Sequence, residues 1–304
     1  GGEKAMSHWF FINGQNFYKD KPKDLQDDII NIEGNAQGFR SITQTENYLF
    51  SGGLRLTYAT LGSFLKYPWN SRKQTDKFST YITEEEILKE TAEKCGLIKI
   101  DNYQWSRHPL SYLVEAADDI CYGILDLEDG VELGIIDYEE VENIFLKHFD
   151  QTEQSDIRSR KGDKKWHRVN FSRIRGPIFD FIIKGAIESF IKNYEDIMSG
   201  NIEPKKDLFD LLSENDARKI LITEAKNKAK TLIFSDTKKV EIELGAYATI
   251  DCLLNNFCEA AINCSKYIQN PHEESLNRKS SLVLKLLGDH SPLDTEEVPP
   301  GAST

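Results

Sequence analysis

The sequence has few positive charges relative to its negative charges. It contains 38 Lys and Arg residues against 50 Asp and Glu residues, which gives a formal net charge of −12 at pH 7 with neutral histidines. This sign argues against a nucleic-acid coat or an anionic membrane as the main partner, because both would be repelled. An anionic substrate is still compatible with the sequence, since a single pocket can be locally basic.

Long apolar runs and cysteine pairs are also lacking. The longest apolar segments, such as "GPIFDFII" at residues 176–183, are far too short to cross a bilayer, and we expect no signal peptide. The five cysteines form no C-x-x-C motif, and their odd number fits no closed disulfide framework. We therefore expect buried free thiols in a cytoplasmic protein without a membrane partner.

Helical periodicity dominates what is present. Apolar residues recur at helical spacing in "LVEAADDICYGILDLEDG", residues 113–130, and again over residues 169–199. Only "TLIFSD" (231–236) and "KKVEIEL" (238–244) have strand character, which favours at most a short β-hairpin. The fold class is therefore predicted to be mainly α. Residues 291–304 have no periodicity and are expected to form a mobile tail.

The helix at residues 113–130 carries six acidic residues and no lysine or arginine. At about 100° per residue, Asp118, Tyr122 and Asp126 lie along one stripe, roughly two turns long. A solvated stripe is one reading. Because apolar residues occupy most other faces, we expect protein around the helix instead, and buried carboxylates need a cation, a metal or hydrogen-bond donors. A divalent ion beside Asp118 and a hydroxyl-bearing ligand beside Asp126 would satisfy them.

Several segments resemble one family, in the same order along the chain. The segment "HPLSYLVEAADDICYGILDLEDG" is similar to the signature helix of the deoxyguanosinetriphosphate triphosphohydrolases, a branch of the HD-domain metal-dependent phosphohydrolases. The other matching segments are "GGEKAMSHWF", "IEGNAQGFRSIT", "GLRLTYATLGSFLKYPW", "RIRGPIFDFI" and, more loosely, "ELGAYATIDCLLNNFCEAA". The resemblance implies an HD-domain helical bundle at residues 1–150, incomplete at its N-terminus. Further helices at 151–290 would pack on it in one continuous globular unit, followed by the tail at 291–304.

The resemblance assigns roles to the stripe on the signature helix. Asp118 corresponds to the last ligand of a divalent metal, with Mg²⁺ or Mn²⁺ expected because a hard cation prefers carboxylate oxygen. Tyr122 corresponds to the residue that packs on the substrate sugar or phosphates, where it could exclude a ribose 2′-hydroxyl by clash. Asp126 corresponds to the acceptor for the 3′-hydroxyl of deoxyribose.

Two further segments are implied to bind the nucleotide. In "EGNAQ", Asn35 and Gln37 are implied donors or acceptors in the pocket, although the glycine-asparagine pair also reads as a plain helix break. In "LKYP", Lys66 is implied to neutralise the triphosphate and Tyr67 to hydrogen-bond to it. Pro68 cannot continue the preceding helix, so Lys66 and Tyr67 are expected at its C-terminal end, where a lysine would also simply favour the helix dipole.

The start of the chain matches the end of the family's metal-binding motif. Glu3 corresponds to the acid that assists the attack of water. The family's metal-binding His, its His-Asp pair and its catalytic His have no counterpart, because none of the six histidines is followed by Asp. We expect either a truncated chain or a degenerate homologue. In both cases the chain as given would be inactive, since one Asp cannot hold a catalytic divalent ion.

The implied activity is hydrolysis of a deoxynucleoside triphosphate, dGTP or a broader set, to the deoxynucleoside and inorganic triphosphate. Two alternatives stay open. The basic stretch "RSRKGDKKWHR", residues 158–168, would suit a nucleotide- or ssDNA-binding regulatory homologue without catalysis, although a solvated loop fits it as well. The other alternative is a metal-free helical scaffold. The family further implies a homo-oligomer, a hexamer in many relatives, and a nucleotide or ssDNA effector.

Overall fold

The computed structural model describes residues 2–46, 52–159, 167–270, 276–288 and 291, and these are mainly helical. Fourteen α-helices occur in this part of the chain, with short π- and 3₁₀-helical turns between some of them. Within these ranges there are isolated β-bridges, such as the one between Trp69 and Gln104, but no strand. The predicted mainly α fold class is therefore confirmed. None of the described helices combines the length and the apolar character needed to cross a bilayer.

The helices are numbered in chain order. They are α1 (Gly2–Asn13), α2 (Gln15–Tyr18), α3 (Lys23–Ile30), α4 (Gly34–Arg40), α5 (Tyr58–Phe64), α6 (Glu85–Lys94), α7 (Pro109–Glu132), α8 (Tyr138–Leu146), α9 (Gln151–Ser159), α10 (His167–Lys192), α11 (Tyr194–Met198), α12 (Ala217–Lys228), α13 (Thr237–Gln269) and α14 (Arg278–Lys285). Helices α10 and α11 cover the long helical pattern predicted at residues 169–199.

Backbone contacts group the chain into two units. The first lies within Gly1–Ile32 and Glu241–Thr304, and the second lies within Glu33–Val240. The predicted boundaries at residues 150 and 290 remain predictions. Of the expected tail at 291–304, all but the first residue lies outside the described part of the chain.

The first unit is built from helices at both ends of the chain. Trp9 in α1 is buried and donates its indole N–H to Asn255 Oδ1 in α13 at 3.2 Å. This bond joins two helices that lie almost 250 residues apart. A small core of Ala260, Cys264 and Leu284 joins α13 to α14. The first unit is therefore held together by contacts between distant parts of the sequence.

Helix α7 is the central element of the second unit and contacts α5, α8, α10 and α12. It begins with Pro109, which has no backbone N–H. This costs nothing here, because N–H groups in the first turn of a helix have no hydrogen-bond partner within the helix. The preceding His108 caps the helix by accepting the N–H of Leu110 on its Nδ1 atom at 3.2 Å. Residues spaced by three and four positions form the face that enters the core, as expected for an amphipathic helix. They are Tyr112, Ala116, Ile120, Ile124, Leu127 and Val131.

The strand character read in the two candidate segments is wrong, because helical backbone covers residues 231–233 of the first and all of the second, and no hairpin forms there. Residues Ala229–Ile233 form a π-helical turn, and α13 begins at Thr237. Ile233 is buried in the main core, where it lies so close to α7 that a Cβ atom on Gly130 would be 2.7 Å from its Cδ1. The strand preference of β-branched residues mostly reflects how they pack. Here Ile233 packs against α7 from a helical turn.

Leu127→Ala should lower the free energy of unfolding by about 2–5 kcal/mol, because it opens a cavity in a core position that is fully buried. The matched change Leu110→Ala acts on a leucine of α7 that is 48% exposed. It should cost less than about 0.5 kcal/mol. Urea unfolding followed by far-UV circular dichroism measures both losses. Equal losses would contradict the described orientation of α7.

Candidate functional site

Helix α7 has one buried face and one exposed face, and the predicted stripe lies on the exposed face. Asp118 is exposed, Tyr122 is 61% exposed, and Asp126 is half-buried. The three residues share one helix face, as their spacing predicted. The expectation that protein surrounds most of this helix is wrong, because apolar residues such as Val114, at 54%, are also exposed. One apolar face is enough to anchor α7 in the core, and the other apolar side chains stay accessible.

The Asp126 carboxyl is partly removed from water. Burial raises its pKa above the ordinary value, the neighbouring Asp129 raises the pKa further, and Lys239 partly opposes both effects. The ionised form of Asp126 is therefore disfavoured in the folded protein. A hydrogen-bond donor or a cation at this position would stabilise it.

Glu115, one turn before the stripe, is held between two cations. Its Oε2 atom lies 2.5 Å from Nη1 of Arg107, and its Oε1 atom lies 3.3 Å from Nζ of Lys66. The Arg107 side chain is only 1% exposed. Its guanidinium also lies 4.3 Å from the ring centre of Tyr112 and donates to the carbonyl oxygen of Lys206 at 3.2 Å. Arg107 therefore fixes Glu115 from a fully buried position.

Two more acids of α7 pair with cations on neighbouring helices. Asp119 Oδ1 lies 2.8 Å from Nζ of Lys226 in α12. Glu128 Oε2 lies 3.1 Å from Nη1 of Arg175 in α10. Three of the six acidic residues in this segment are thus paired with cations from outside it. Asp118 lies on the exposed face of α7.

Lys66 and Tyr67 lie just beyond the end of α5, rather than in its last turn. Burial alone would lower the pKa of Lys66, but Glu115, supported by Tyr67 and Asp119, outweighs it, and the pKa is raised above its ordinary value. Lys66 is therefore a stable cation at neutral pH. Its Nζ atom lies 5.8 Å from the ring centre of Tyr67.

The helix break read from the sequence is present, and it places Asn35 in the first turn of α4. The preceding Glu33 is the N-cap: its Oε2 atom accepts the backbone N–H of Asn35 at 2.6 Å and that of Ala36 at 3.1 Å. Its Oε1 atom accepts the Asn35 side-chain amide at 3.0 Å and the Lys77 ammonium at 2.8 Å. Gln37, further along α4, is exposed.

The two predicted nucleotide-binding segments lie in one region of the second unit. Tyr67 packs against an aromatic cluster that includes Ala36, the neighbour of Asn35. Burial raises the pKa of the Tyr67 hydroxyl. The charges of the Glu115–Lys66 pair and of the Glu33–Lys77 pair also act on this hydroxyl. Tyr67 thus links the Glu115–Lys66 pair to the start of α4, the helix that carries Asn35.

Glu3 belongs to the first unit, and the implied metal has one candidate ligand on α7. Glu3 is half-buried in the first turn of α1, in the first unit, and its predicted role remains a prediction. Nowhere in the described ranges do three His, Cys, Asp or Glu side chains come together to hold a metal ion. The described residues therefore do not complete the site that the resemblance implied, and Asp118 is one candidate ligand.

The residues that position Lys66 and Asn35 were not predicted from the sequence. Glu33 is the first residue of "EGNAQ" and Arg107 directly precedes the signature helix, and a short polar side chain before a helix is a known signal for a cap. Glutamate is not among the preferred capping residues, which is why Glu33 escaped notice. Lys77 lies in an irregular loop, where no sequence pattern indicates its partner.

Curated proteins resemble the chain over nearly its whole length. A deoxyguanosinetriphosphate triphosphohydrolase-like protein of Pseudomonas aeruginosa is 37% identical over 298 residues, which cover 96% of this chain and 65% of that protein. The chain belongs to the deoxyguanosinetriphosphate triphosphohydrolase-like family. A family member of the same name from Listeria monocytogenes is 29% identical over 319 residues, covering 95% of this chain and 63% of that protein.

A third relative in the family carries the enzyme name itself. The deoxyguanosinetriphosphate triphosphohydrolase of Yersinia enterocolitica is 26% identical over 253 residues, covering 76% of this chain and 47% of that protein. The chain thus spans less than two thirds of the length of each of these three relatives. No family model matches the chain. The family assignment predicted from the motifs is confirmed by the curated relatives.

Arg107→Met should lower the free energy of unfolding by up to about 3 kcal/mol, because the largely buried Glu115 carboxylate loses its buried partner and keeps only the half-buried Lys66. A double variant that also carries Glu115→Met removes both charges and should recover a large part of this loss. Urea unfolding at pH 7 measures both variants. A single variant as stable as the wild type, or a double variant less stable than the single one, would contradict the described pair.

Asp126→Asn should raise the melting temperature at pH 7. The pKa of the Asp126 carboxyl is higher in the folded protein than in the unfolded chain. The carboxyl therefore stabilises the folded state at pH values below its pKa in the unfolded chain, and this stabilisation is lost as the pH rises through its pKa in the folded protein. The advantage of the variant should therefore shrink as the pH falls and disappear below about pH 4. Differential scanning fluorimetry between pH 4 and pH 8 measures this difference, and a variant less stable at pH 7 would contradict it.

Proposed function

We propose that the second unit binds a deoxynucleoside triphosphate, and that the whole protein hydrolyses this substrate to the deoxynucleoside and inorganic triphosphate. The names of the relatives support the class of reaction. The observation that carries the proposal is the position of Lys66. It is a half-buried cation held by Glu115 beside Tyr67, and Tyr67 packs against Ala36 of α4.

A triphosphate needs a local positive charge on a chain whose net charge is −12. The group formed by Arg107, Glu115 and Lys66 has a formal charge of +1 at neutral pH, and Lys66 is its accessible member. Because Lys66 is partly buried, salt screens its attraction for an anion less than at a fully exposed position. The Tyr67 hydroxyl stays protonated because its pKa is raised, so it can donate to a phosphate oxygen.

The stripe on α7 is proposed to bind the sugar and one metal ion. The exposed ring of Tyr122 offers a surface for the deoxyribose, and Asp126 would accept its 3′-hydroxyl. That hydroxyl is the kind of donor that stabilises a carboxylate where its charge is disfavoured. Asp118 is proposed as the ligand that α7 contributes to a divalent ion, Mg²⁺ or Mn²⁺, which would polarise a phosphate when bound.

The hydrolytic step itself is not assigned to the described residues, because they do not complete a metal site around Asp118. Glu3 is proposed as the acid that assists the attack of water in the whole protein. Asn35 and Gln37 on α4 are proposed to contact the nucleotide. The homo-oligomer and the nucleotide or ssDNA effector also remain predictions.

Nucleotide binding without catalysis is the second candidate function. It needs only the contacts proposed for Lys66, Tyr67 and the stripe on α7, and no completed metal site. The basic stretch at 158–168 was expected to serve such a role, and its residues 160–166 lie outside the described part of the chain. A metal-free scaffold, in contrast, would show no rise in melting temperature with a nucleotide.

Lys66→Ala should weaken the binding of dGTP by about 10- to 100-fold, the range for a lost hydrogen bond to a charged group. The fold should survive, because Glu115 keeps Arg107 as its partner. The matched control is Lys89→Ala, which removes an exposed lysine of α6. Isothermal titration calorimetry with the 304-residue chain and Mg²⁺, at low and high salt, measures both affinities. Unchanged affinity in Lys66→Ala would remove Lys66 from the site and the main support for the proposal.

A further inference from the structure

An apolar face on α10 and α11 is exposed over about four helical turns. Its five members follow one another at intervals of three or four residues, which places them within roughly 80° of the helix circumference. Between 41 and 67% of each residue is exposed, and the five are Ile183, Ile187, Ile191, Tyr194 and Met198. The opposite side of α10 enters the main core through residues such as Ile182. The exposed face is therefore not needed to anchor α10 in the second unit.

The exposed face continues across the junction between α10 and α11. The backbone N–H of Asn193 donates to the carbonyl oxygen of Ser189 at 3.1 Å, and that of Ile197 donates to the carbonyl oxygen of Asn193 at 2.9 Å. Both bonds span four residues, as they do inside an α-helix, so Tyr194 and Met198 stay in line with the isoleucines. Single exposed apolar side chains are ordinary, but a continuous patch of them marks an association site. Tyrosine and methionine are also enriched at the cores of protein interfaces.

Charges of alternating sign run along one edge of this face. Four exposed residues form the edge, at intervals of three or four positions, and they are Lys184, Glu188, Lys192 and Glu195. The Lys184 ammonium lies 2.6 Å from Asp180 of its own chain, and both side chains are exposed. Ion pairs at such positions hold their members weakly. Lys184 can therefore turn to another carboxylate that comes close to it.

The order of apolar and charged residues is symmetric about Phe190. The apolar members of the exposed face that precede this point mirror those that follow it. The charges of the edge mirror one another with opposite sign, because Lys184 mirrors Glu195 and Glu188 mirrors Lys192. Two copies of the face in antiparallel orientation would thus place apolar side chains on apolar side chains and each lysine near a glutamate. A face that is complementary to itself is what a two-fold contact between identical chains requires.

We propose that a second copy of this chain covers the exposed face of α10 and α11, with the two helices antiparallel about a two-fold axis near Phe190. The inference does not rest on the proposed function. The chain carries a net charge of −12, so two copies repel each other at long range. The edge of this face sets two lysines against two glutamates, which replaces that repulsion by attraction at the contact. In an assembly of more than two copies, this contact would form one of the two-fold axes.

Ile191→Glu should disrupt the contact, because it brings two carboxylates together close to the two-fold axis. Ile191 is 67% exposed, so the fold should tolerate the change. The matched control is Ile242→Glu, the same substitution at an isoleucine of α13 that is 73% exposed. Sedimentation velocity with about 1–100 μM of the 304-residue chain measures self-association, which depends on protomer concentration. Ile191→Glu should weaken it at least about 30-fold, as expected for a central contact, and the control should not change it.

An exchange of charges tests the antiparallel arrangement. Lys184→Glu places like charges opposite each other on both sides of the axis and should weaken self-association about tenfold. A double variant that also carries Glu195→Lys restores opposite charges and should recover most of the affinity. The two positions are about 16 Å apart along the helix, too far to pair within one chain, so the recovery can come only from a second copy. Far-UV circular dichroism checks that every variant is folded.

Three results would overturn the inference. They are a wild-type chain that stays monomeric over the whole concentration range, an Ile242→Glu variant that self-associates as weakly as Ile191→Glu, and a double variant that stays as weak as Lys184→Glu. Binding of dGTP through Lys66 is measured separately and would still support the proposed function. A chain that self-associates through this face but does not bind dGTP would leave the inference in place and remove the proposed function.

Discussion

Three acidic side chains on the flanks of α7 are paired with cations from other parts of the chain, and the second unit is organised around these pairs. The helix enters the core with its apolar face, and its flanking acids reach residues on other elements. Arg107 meets Glu115, Lys226 meets Asp119, and Arg175 of α10 meets Glu128. Each pairing fixes the position of a further segment relative to α7. The pairing of Glu115 with Lys66 leaves a half-buried cation next to Tyr67.

The sequence was sufficient for the features that depend on local spacing. The stripe on α7 shares one face because its residues are four apart. Helix α10 follows its apolar periodicity, and α4 begins at the glycine of "EGNAQ", beside the predicted break. The family assignment came from several motifs in one order, which is a stronger signal than any single helix. These features need no knowledge of which distant segments meet.

The features that the sequence could not predict depend on contacts between distant residues. Arg107 and Lys206 are 99 positions apart, and no local pattern relates them. The predicted hairpin failed because Ile233 gains its packing against α7 in a helical turn, a tertiary effect that exceeds a weak local preference. The exposed side of α7 was unexpected for the same reason: composition shows how many apolar residues a helix has, but not how many faces its neighbours cover.

The hydrogen bond from Arg107 to the carbonyl oxygen of Lys206 gives the irregular segment around Lys206 a structural role. Residues 199–216, between α11 and α12, have the kind of backbone in which insertions are usually harmless. In this chain the segment supports the buried guanidinium that holds Glu115, and Glu115 in turn holds Lys66. An insertion near Lys206 would therefore be expected to change the position of Lys66. Homologues that differ in length there would need another carbonyl group in the same place.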